Sequence, residues 1–260
     1  MKFDFSVPMT FYEFLAIILA AVAIIIPIGQ AIWRKWVLKG KINFLPTGRV
    51  KLFFNQSGSY IRIDGVFESI HKPVSLKKTS VKVTRHKDDC KLNLAWSSFI
   101  SPVNQTVIGN YMQTTEAAHP FQIAADSIAC AFIEYSDEFD SFGKKFRADT
   151  ATLFSKINDI RNECADYLLA IERYKNTSEY SAAKTIISKE FFWEIGKYSV
   201  DIGVVYGKKS KHFHYTISIG EYEHKLLIDN IDEALLSPLK SAYGMGWDYH
   251  TVNVELQEQI

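Results

Sequence analysis

The stretch FLAIILAAVAIIIPIGQAIWRKW, residues 14–36, decides what kind of protein this is. Residues 15–33 carry no formal charge, and Gln30 is their only strongly polar side chain. At about 1.5 Å per helical residue these nineteen residues span roughly 28 Å, close to the ~30 Å hydrocarbon core of a bilayer. The stretch is apolar on every face, and it is longer and less polar than an ordinary buried helix. Phe11, Tyr12 and Phe14 at one end and Trp33 and Trp36 at the other suit the headgroup boundary. Pro27 removes one helical hydrogen bond and kinks the span without ending it. A cleaved signal peptide would need a positive leader, a shorter apolar run and a clear small-residue cleavage site. Here Lys2 is offset by Asp4 and Glu13, and Trp33-Arg34-Lys35-Trp36 reads as a stop. The spacing predicts a transmembrane helix over residues 14–36 behind a short N-terminal segment, residues 1–13.

The flanks give an orientation. Lys2 is the only basic residue before the span, whereas Arg34, Lys35, Lys39 and Lys41 follow it, and the more basic flank stays in the cytoplasm. The expected placement is a single pass through the inner (plasma) membrane, N-terminus outside and C-terminal domain cytoplasmic. The overall charge of +1 hides a strong polarity. Residues 34–91 hold 14 Lys/Arg against 4 Asp/Glu, and residues 92–260 hold 15 against 23. A basic section beside a span is drawn to anionic lipid, so Trp33, Arg34, Lys35, Trp36, Lys39 and Lys41 are the expected membrane-interface residues. Nucleic acid is not an expected partner, because the basic section carries no recognisable binding module and the remainder is acidic. Cys90, Cys130 and Cys164 are too few and too far apart for a disulfide framework or a zinc pair, and read as reduced, mostly buried thiols.

Beyond a basic juxtamembrane linker, residues 37–48, strand patterns dominate residues 49–146. Runs at 50–54, 60–67, 76–85, 90–99, 106–111, 121–125 and 128–135 are separated by turn residues. Val81 and Val83 alternate with Lys82 and Thr84, and Leu92, Leu94 and Trp96 share a face. Period-two patterning with turns every 8–12 residues predicts an antiparallel β-sandwich, similar in strand rhythm to immunoglobulin-like or arrestin-like folds. No Cys pair surrounds Trp96, so an antibody-type domain is not implied.

Residues 147–195 read as a helical hairpin. Asp149 or Thr150 caps a first helix whose apolar side chains run Leu153, Ile157, Ile160, Cys164, Tyr167 and Ile171. Asn176-Thr177-Ser178 breaks it, and Ser178 caps a second helix to about Ile195. Residues 196–260 read as a second β-rich part. Tyr198, Val200, Ile202 and Val204 alternate along one strand, a Gly207–Lys211 loop leads to a strand at 213–219, and a strand at 223–228, a short helix at 231–240 and a strand at 249–256 follow. The expected class is thus membrane-anchored α+β, the two β parts forming either one domain or two.

Little in the sequence points to catalysis. His212 and His214 lie two apart on a strand and could share a metal with Glu221 or His224, but no Cys or Asp cluster accompanies them. Asp88-Asp89-Cys90 reads as a polar turn. Glu134, Asp137, Glu138 and Asp140 form an acidic run without the ligand spacing of a calcium loop, and suit a surface that meets a partner. Gly244-Met245-Gly246-Trp247 lacks a phosphate-cradle context, and no hydrolase, zincin or nucleotide-loop motif is present. The expected function is therefore non-enzymatic and without cofactor: a cytoplasmic β-rich domain that recruits or senses a protein partner at the membrane. A second reading is a regulatory or effector subunit of a bacterial membrane-associated system (transport, envelope stress or phage defence), its span forming homo-oligomers through Ala20, Ala21 and Ala23. A hydrolase assembled from scattered residues is a third.

Overall fold

The computed structural model describes residues 10–33, 39–107 and 110–258. The first element, α1 (Phe11–Ile32), starts at a capping box: the Thr10 hydroxyl accepts from the Glu13 amide, and Glu13 Oε2 accepts from the Thr10 amide at 2.8 Å. It begins three residues earlier than the sequence reading placed it, with Trp33 as its C-cap. At 22 residues it is about 33 Å long. It buries none of its residues, which sets it apart from the core helix of a soluble domain.

Every other described element belongs to one body. Its strands are β1 (Lys41–Asn55), β2 (Gly58–Ile70), β3 (Val74–Arg85), β4 (Lys91–Val107), β5 (Asn110–Ala117), β6 (Phe121–Ile123), β7 (Ser127–Ser136), β8 (Gly196–Tyr206), β9 (Lys209–Ile219), β10 (Val252–Glu255) and β11 (Gln257–Glu258). They form a single antiparallel sheet in the order β10-β1-β2-β7-β4-β3-β8-β9-β11, with β5 beside β4 and β6 beside β3. The two ends of that order are consecutive in sequence. β10 pairs with β1 (Val50 opposite Val254) and β11 with β9 (Glu258 opposite Tyr215), while the Leu256 amide between them donates to Gly48 O at 2.9 Å. The C-terminal strand thus bridges the two edges and nearly closes the sheet into a barrel. Further along the seam, Lys211 Nζ on β9 donates to Ile42 O and Asn43 Oδ1 on β1 at 2.9 and 2.8 Å.

A barrel of about eight strand positions is just wide enough for side chains to fill. Alternate residues do so here: Ile42, Phe44, Leu52 and Phe54 from β1, Ile61, Ile63 and Phe67 from β2, Val81 and Val83 from β3, Val200, Ile202 and Val204 from β8. The expected two-sheet sandwich is therefore corrected. Both β parts contribute to one wall, because β3 pairs with β8 from Leu76–Tyr206 to Arg85–Tyr198. β1 starts at Lys41, inside the segment expected as a linker. The separate strand expected at 106–111 is divided instead between the end of β4 (Val107) and the start of β5 (Asn110), with 108–109 outside the described residues.

The helices are α2 (Ser141–Ser155), α3 (Ile157–Glu163), α4 (Tyr167–Lys175), α5 (Ser178–Glu190) and α6 (Glu221–Ala242). The inserted hairpin is present, but each arm is broken: α2 and α3 form one, α4 and α5 the other. Its turn lies at 164–166, where Asp166 accepts from the Leu169 amide at 2.9 Å and caps α4, and not at 176–178, where Thr177 caps α5. The expected strand at 223–228 and short helix at 231–240 are a single helix. Leu227, Ile231, Ala234, Leu235 and Leu239 recur at helical spacing and are fully buried. Pro238 cannot donate to Ala234 O. That carbonyl instead accepts from Gln56 Nε2 at 2.9 Å and Ser237 Oγ at 3.1 Å, which ties α6 to the β1–β2 turn. Phe54 meets Phe142 and Phe191, and Trp193 Nε1 reaches Phe53 O, so the helices cap this end of the barrel. The opposite end, where β1 begins, is nearest α1 along the chain and is called the proximal end.

Candidate functional site

The loop between β7 and α2 is shaped by one side chain. Asp137 Oδ1 accepts from the Phe139 amide at 3.1 Å, and Oδ2 accepts from the amides of Ser141 and Phe142 at 2.6 and 3.3 Å. Partial burial would push its carboxyl up, but these amides win and hold it below the ordinary carboxylate value. The loop thereby presents Phe139 with 71 % of its surface exposed. Glu138 leans over the barrel wall and accepts from Lys78 Nζ at 2.9 Å. Asp140 adopts a left-handed conformation (φ 49°) and pairs with Arg147 at 2.7 Å. Glu134, half-buried on β7, has its carboxyl raised by burial, which the nearby Arg62 charge opposes. Three of the four acidic side chains are thus held by local amides or a cationic partner, while Glu134 lies half-buried on the strand.

Between this loop and the outer faces of β3, β4, β8 and β9 lies a cleft of about 520 Å³. Lys78, Lys82, Asp137, Glu138, Asp201 and His212 give it a mixed-charge rim around Phe139. Gly203 makes the room. A Cβ there would sit 3.2 Å from Ser80 Oγ and 3.3 Å from the His212 ring. The cleft brings Asp137 and Glu138 together with His212, candidates some seventy residues apart in sequence.

The histidines both address Asp201. His212 Nδ1 lies 3.0 and 3.1 Å from its two oxygens, and His214 Nδ1 lies 3.6 Å from Oδ1. The rings are nearly parallel, 6.4 Å apart. Asp201 faces His214 directly across the β8–β9 pair, which produces this arrangement. Glu221 and His224, expected on a neighbouring strand, sit instead in the first turn of α6, where His224 meets Phe191. Among the described residues, no group of three or more His, Cys, Asp or Glu is placed to hold a metal ion. Cys164 is buried, while Cys90 and Cys130 are exposed, contrary to the expectation of mostly buried thiols; all three are free.

Of the expected membrane-interface residues, Trp33, Lys39 and Lys41 are exposed, and Arg34, Lys35 and Trp36 lie outside the described residues. Phe139, Asp201 and the Lys208-Lys209 pair are absent from the sequence-based set. An isolated Phe in an acidic run was a weak signal for the first, and the other two depend on strand pairing.

Arg85 braces the capped end. Its guanidinium donates to both Asp88 oxygens at 2.9 and 2.7 Å and to Phe192 O at 3.0 Å, pairs with Glu194, and lies over the Phe192 ring. The Arg85 hydrogen bonds, with the Cys90 amide, lower the Asp88 carboxyl to about 2. Because this folded-state value lies below the ordinary one, the contribution is present above about pH 4 and is lost as pH falls through about 2. Urea melts of the wild type and Asp88→Asn are therefore expected to differ at pH 6 and to converge at pH 2; an unchanged gap would refute the assignment.

Comparison with protein-family models, with curated proteins and with solved structures returns no match.

Proposed function

We propose that this chain is a single-span protein of the inner (plasma) membrane whose barrel acts in the cytoplasm as a docking module. In this reading it recruits or senses a protein partner and catalyses no reaction. An apolar helix that buries nothing against the barrel supports the anchor, and the basic flank that follows it supports a cytoplasmic barrel. The observation that carries the docking role is Phe139. It is a large apolar side chain, 71 % exposed, fixed on a braced loop and ringed by charged groups beside the cleft. Binding energy concentrates in such aromatic anchors when a polar rim excludes water around them.

The test is quantitative affinity isolation in mild detergent. Wild type, Phe139→Asp and a control change at the α4–α5 junction, Lys175→Glu, are compared; that junction lies beside the far end of α2, where Lys156 pairs with Glu179. A partner retained by wild type and the control is expected to fall at least about thirty-fold with Phe139→Asp, as loss of a ~2 kcal/mol anchor implies. Equal recovery with all three would remove Phe139 from the contact, and repeated isolation without any specific partner would defeat the docking role.

A further inference from the structure

We infer that the proximal end of the barrel docks directly on anionic lipid headgroups, so that the barrel is held to the bilayer by its own surface as well as by α1. The inference rests on the reading of α1 as a membrane anchor.

Four chain segments meet at this end. They are the start of β1, the β2–β3 turn, the β6–β7 turn and the β8–β9 turn. Specific contacts hold them together. The backbone at Gly40 packs so closely on the β2–β3 turn that a Cβ there would lie 3.2 Å from Lys72 Cβ. The His71 amide, on a residue with φ 71°, donates to Asp126 Oδ1 in the β6–β7 turn at 2.7 Å. The Gly207 amide of the β8–β9 turn donates to Ser75 O on β3 at 3.0 Å. The end is therefore a built surface.

Its charge is one-sided. Lys39, Lys41, Lys208 and Lys209 are exposed there, with Lys72 beside them half-buried and His71 exposed. Asp126 is the acidic residue of these four segments. Glu68, opposite Asn43 in the β1–β2 pair, accepts from Asn43 Nδ2 at 3.4 Å. Lys208 and Lys209 come from the acidic part of the sequence, and pairing of Tyr206 with Lys209 in a two-residue turn carries them to this end.

Chain length then places the surface. Trp33 caps α1, and five residues separate it from Lys39. Even fully extended, the connection reaches no more than about 20 Å. An α1 that spans the bilayer therefore leaves the proximal end within reach of the headgroups, where each suitably placed lysine favours anionic lipid. The helical cap lies at the other end of the barrel, and its charges nearly balance: residues 141–190 and 221–242 hold 11 Lys/Arg against 12 Asp/Glu. A negative surface therefore attracts the proximal end and finds no comparable charge at the capped end, so the field that docks the barrel also orients it. The cleft beside Phe139 opens on the barrel wall, clear of the docked end.

The test uses the full chain reconstituted into vesicles of phosphatidylcholine alone or with about one-third phosphatidylglycerol. A membrane-impermeant amine reagent labels the lysines, and mass spectrometry reads each site. In anionic vesicles, labelling of Lys39, Lys208 and Lys209 is expected to fall about five-fold relative to neutral vesicles, while Lys144 and Lys189 on the helical insert are unchanged. Salt at about 0.5 M should restore labelling by screening. Lys208→Glu with Lys209→Glu, changes in an exposed turn, should abolish the protection at Lys39. Alkaline carbonate extraction is read in parallel. Chain retained in both vesicle types, with equal labelling of the proximal lysines, overturns docking while leaving the anchor intact. Chain extracted from both overturns the anchor, and docking with it.

Discussion

Removing residues 251–260 is expected to leave a chain that does not fold. The segment carries the strand that joins the two edges of the sheet: β10 covers β1 from Arg49 to Leu52, and β11 covers β9 at Tyr215 and Thr216. Its inward side chains Val252, Val254 and Leu256 are each no more than 6 % exposed. At ~1.5–3 kcal/mol for each buried aliphatic side chain, their loss removes about 5–9 kcal/mol, against a total stability of roughly 5–15 kcal/mol for a domain. The loss also uncovers two strand edges, which invites aggregation. The molecule invests in placing this strand. Asn230, fully buried on α6, donates through Nδ2 to His250 O and accepts from the His250 amide, both at 2.7 Å. Glu233 beside it accepts from the Asp248 amide at 2.8 Å and from Lys240 at 2.6 Å. Circular dichroism and gel filtration of the detergent-solubilised full chain and the truncation would check the expectation, with Val254→Asp as a milder version. A truncated chain that stays monomeric with a wild-type melt would show that the bridge is not needed for closure.

What the sequence could and could not disclose follows from the range of the contacts. Alternation along β3 and β8 is local, so both strands are legible in Val81-Lys82-Val83 and Tyr198-Ser199-Val200. Their pairing joins residues more than a hundred positions apart and leaves no mark in either pattern. A sandwich and a nearly closed barrel therefore look alike until the partners are known. The α6 helix was misread at its first turns because Leu226-Leu227-Ile228 is a short apolar run, which periodicity alone does not assign to helix or strand. The register of Ile231, Leu235 and Leu239 resolves it only when the helix is taken whole. The insert was legible as helical, but its turn was displaced. Asp166 is as good a cap as Ser178, and only packing of α3 against α4 selects between bends. The cleft is a tertiary object throughout: Asp137, Lys78 and His212 share it because β7, β4, β3, β8 and β9 are consecutive in the wall. The charge polarity was visible as a statistic of two sequence halves. Its form as a basic barrel end required the β8–β9 turn to bring Lys208 and Lys209 to the start of β1.

Placing two arginines in α1, Ala21→Arg with Ile25→Arg, is expected to free the protein from the membrane while leaving the barrel folded. Each arginine at the centre of a span costs ~2.5–3.5 kcal/mol on insertion, against roughly 0.3–0.6 kcal/mol gained per Leu, Ile, Phe or Val. Two of them cost about 5–7 kcal/mol, which cancels the roughly 4–7 kcal/mol contributed by the dozen such residues in Phe11–Ile32, one of which, Ile25, is itself replaced. Ala21 and Ile25 lie one turn apart on the same face, so neither arginine can pair with the other. The barrel should not respond, because every described residue of α1 is exposed and none packs on the core cluster. In membranes from cells expressing each form, wild type is expected to resist alkaline carbonate and the double variant to be released. Limited proteolysis should then yield the same resistant core from both. Three readings of the helix part company here. A core helix would make the variant lose its resistant fragment, and a cleaved leader would make the wild-type mass lack its N-terminal apolar segment. An anchor alone changes the partition and nothing else. Protease added to right-side-out membranes completes the assignment: with the barrel cytoplasmic, the wild-type core is shielded until the membrane is opened, whereas its immediate digestion to the resistant fragment would reverse the orientation.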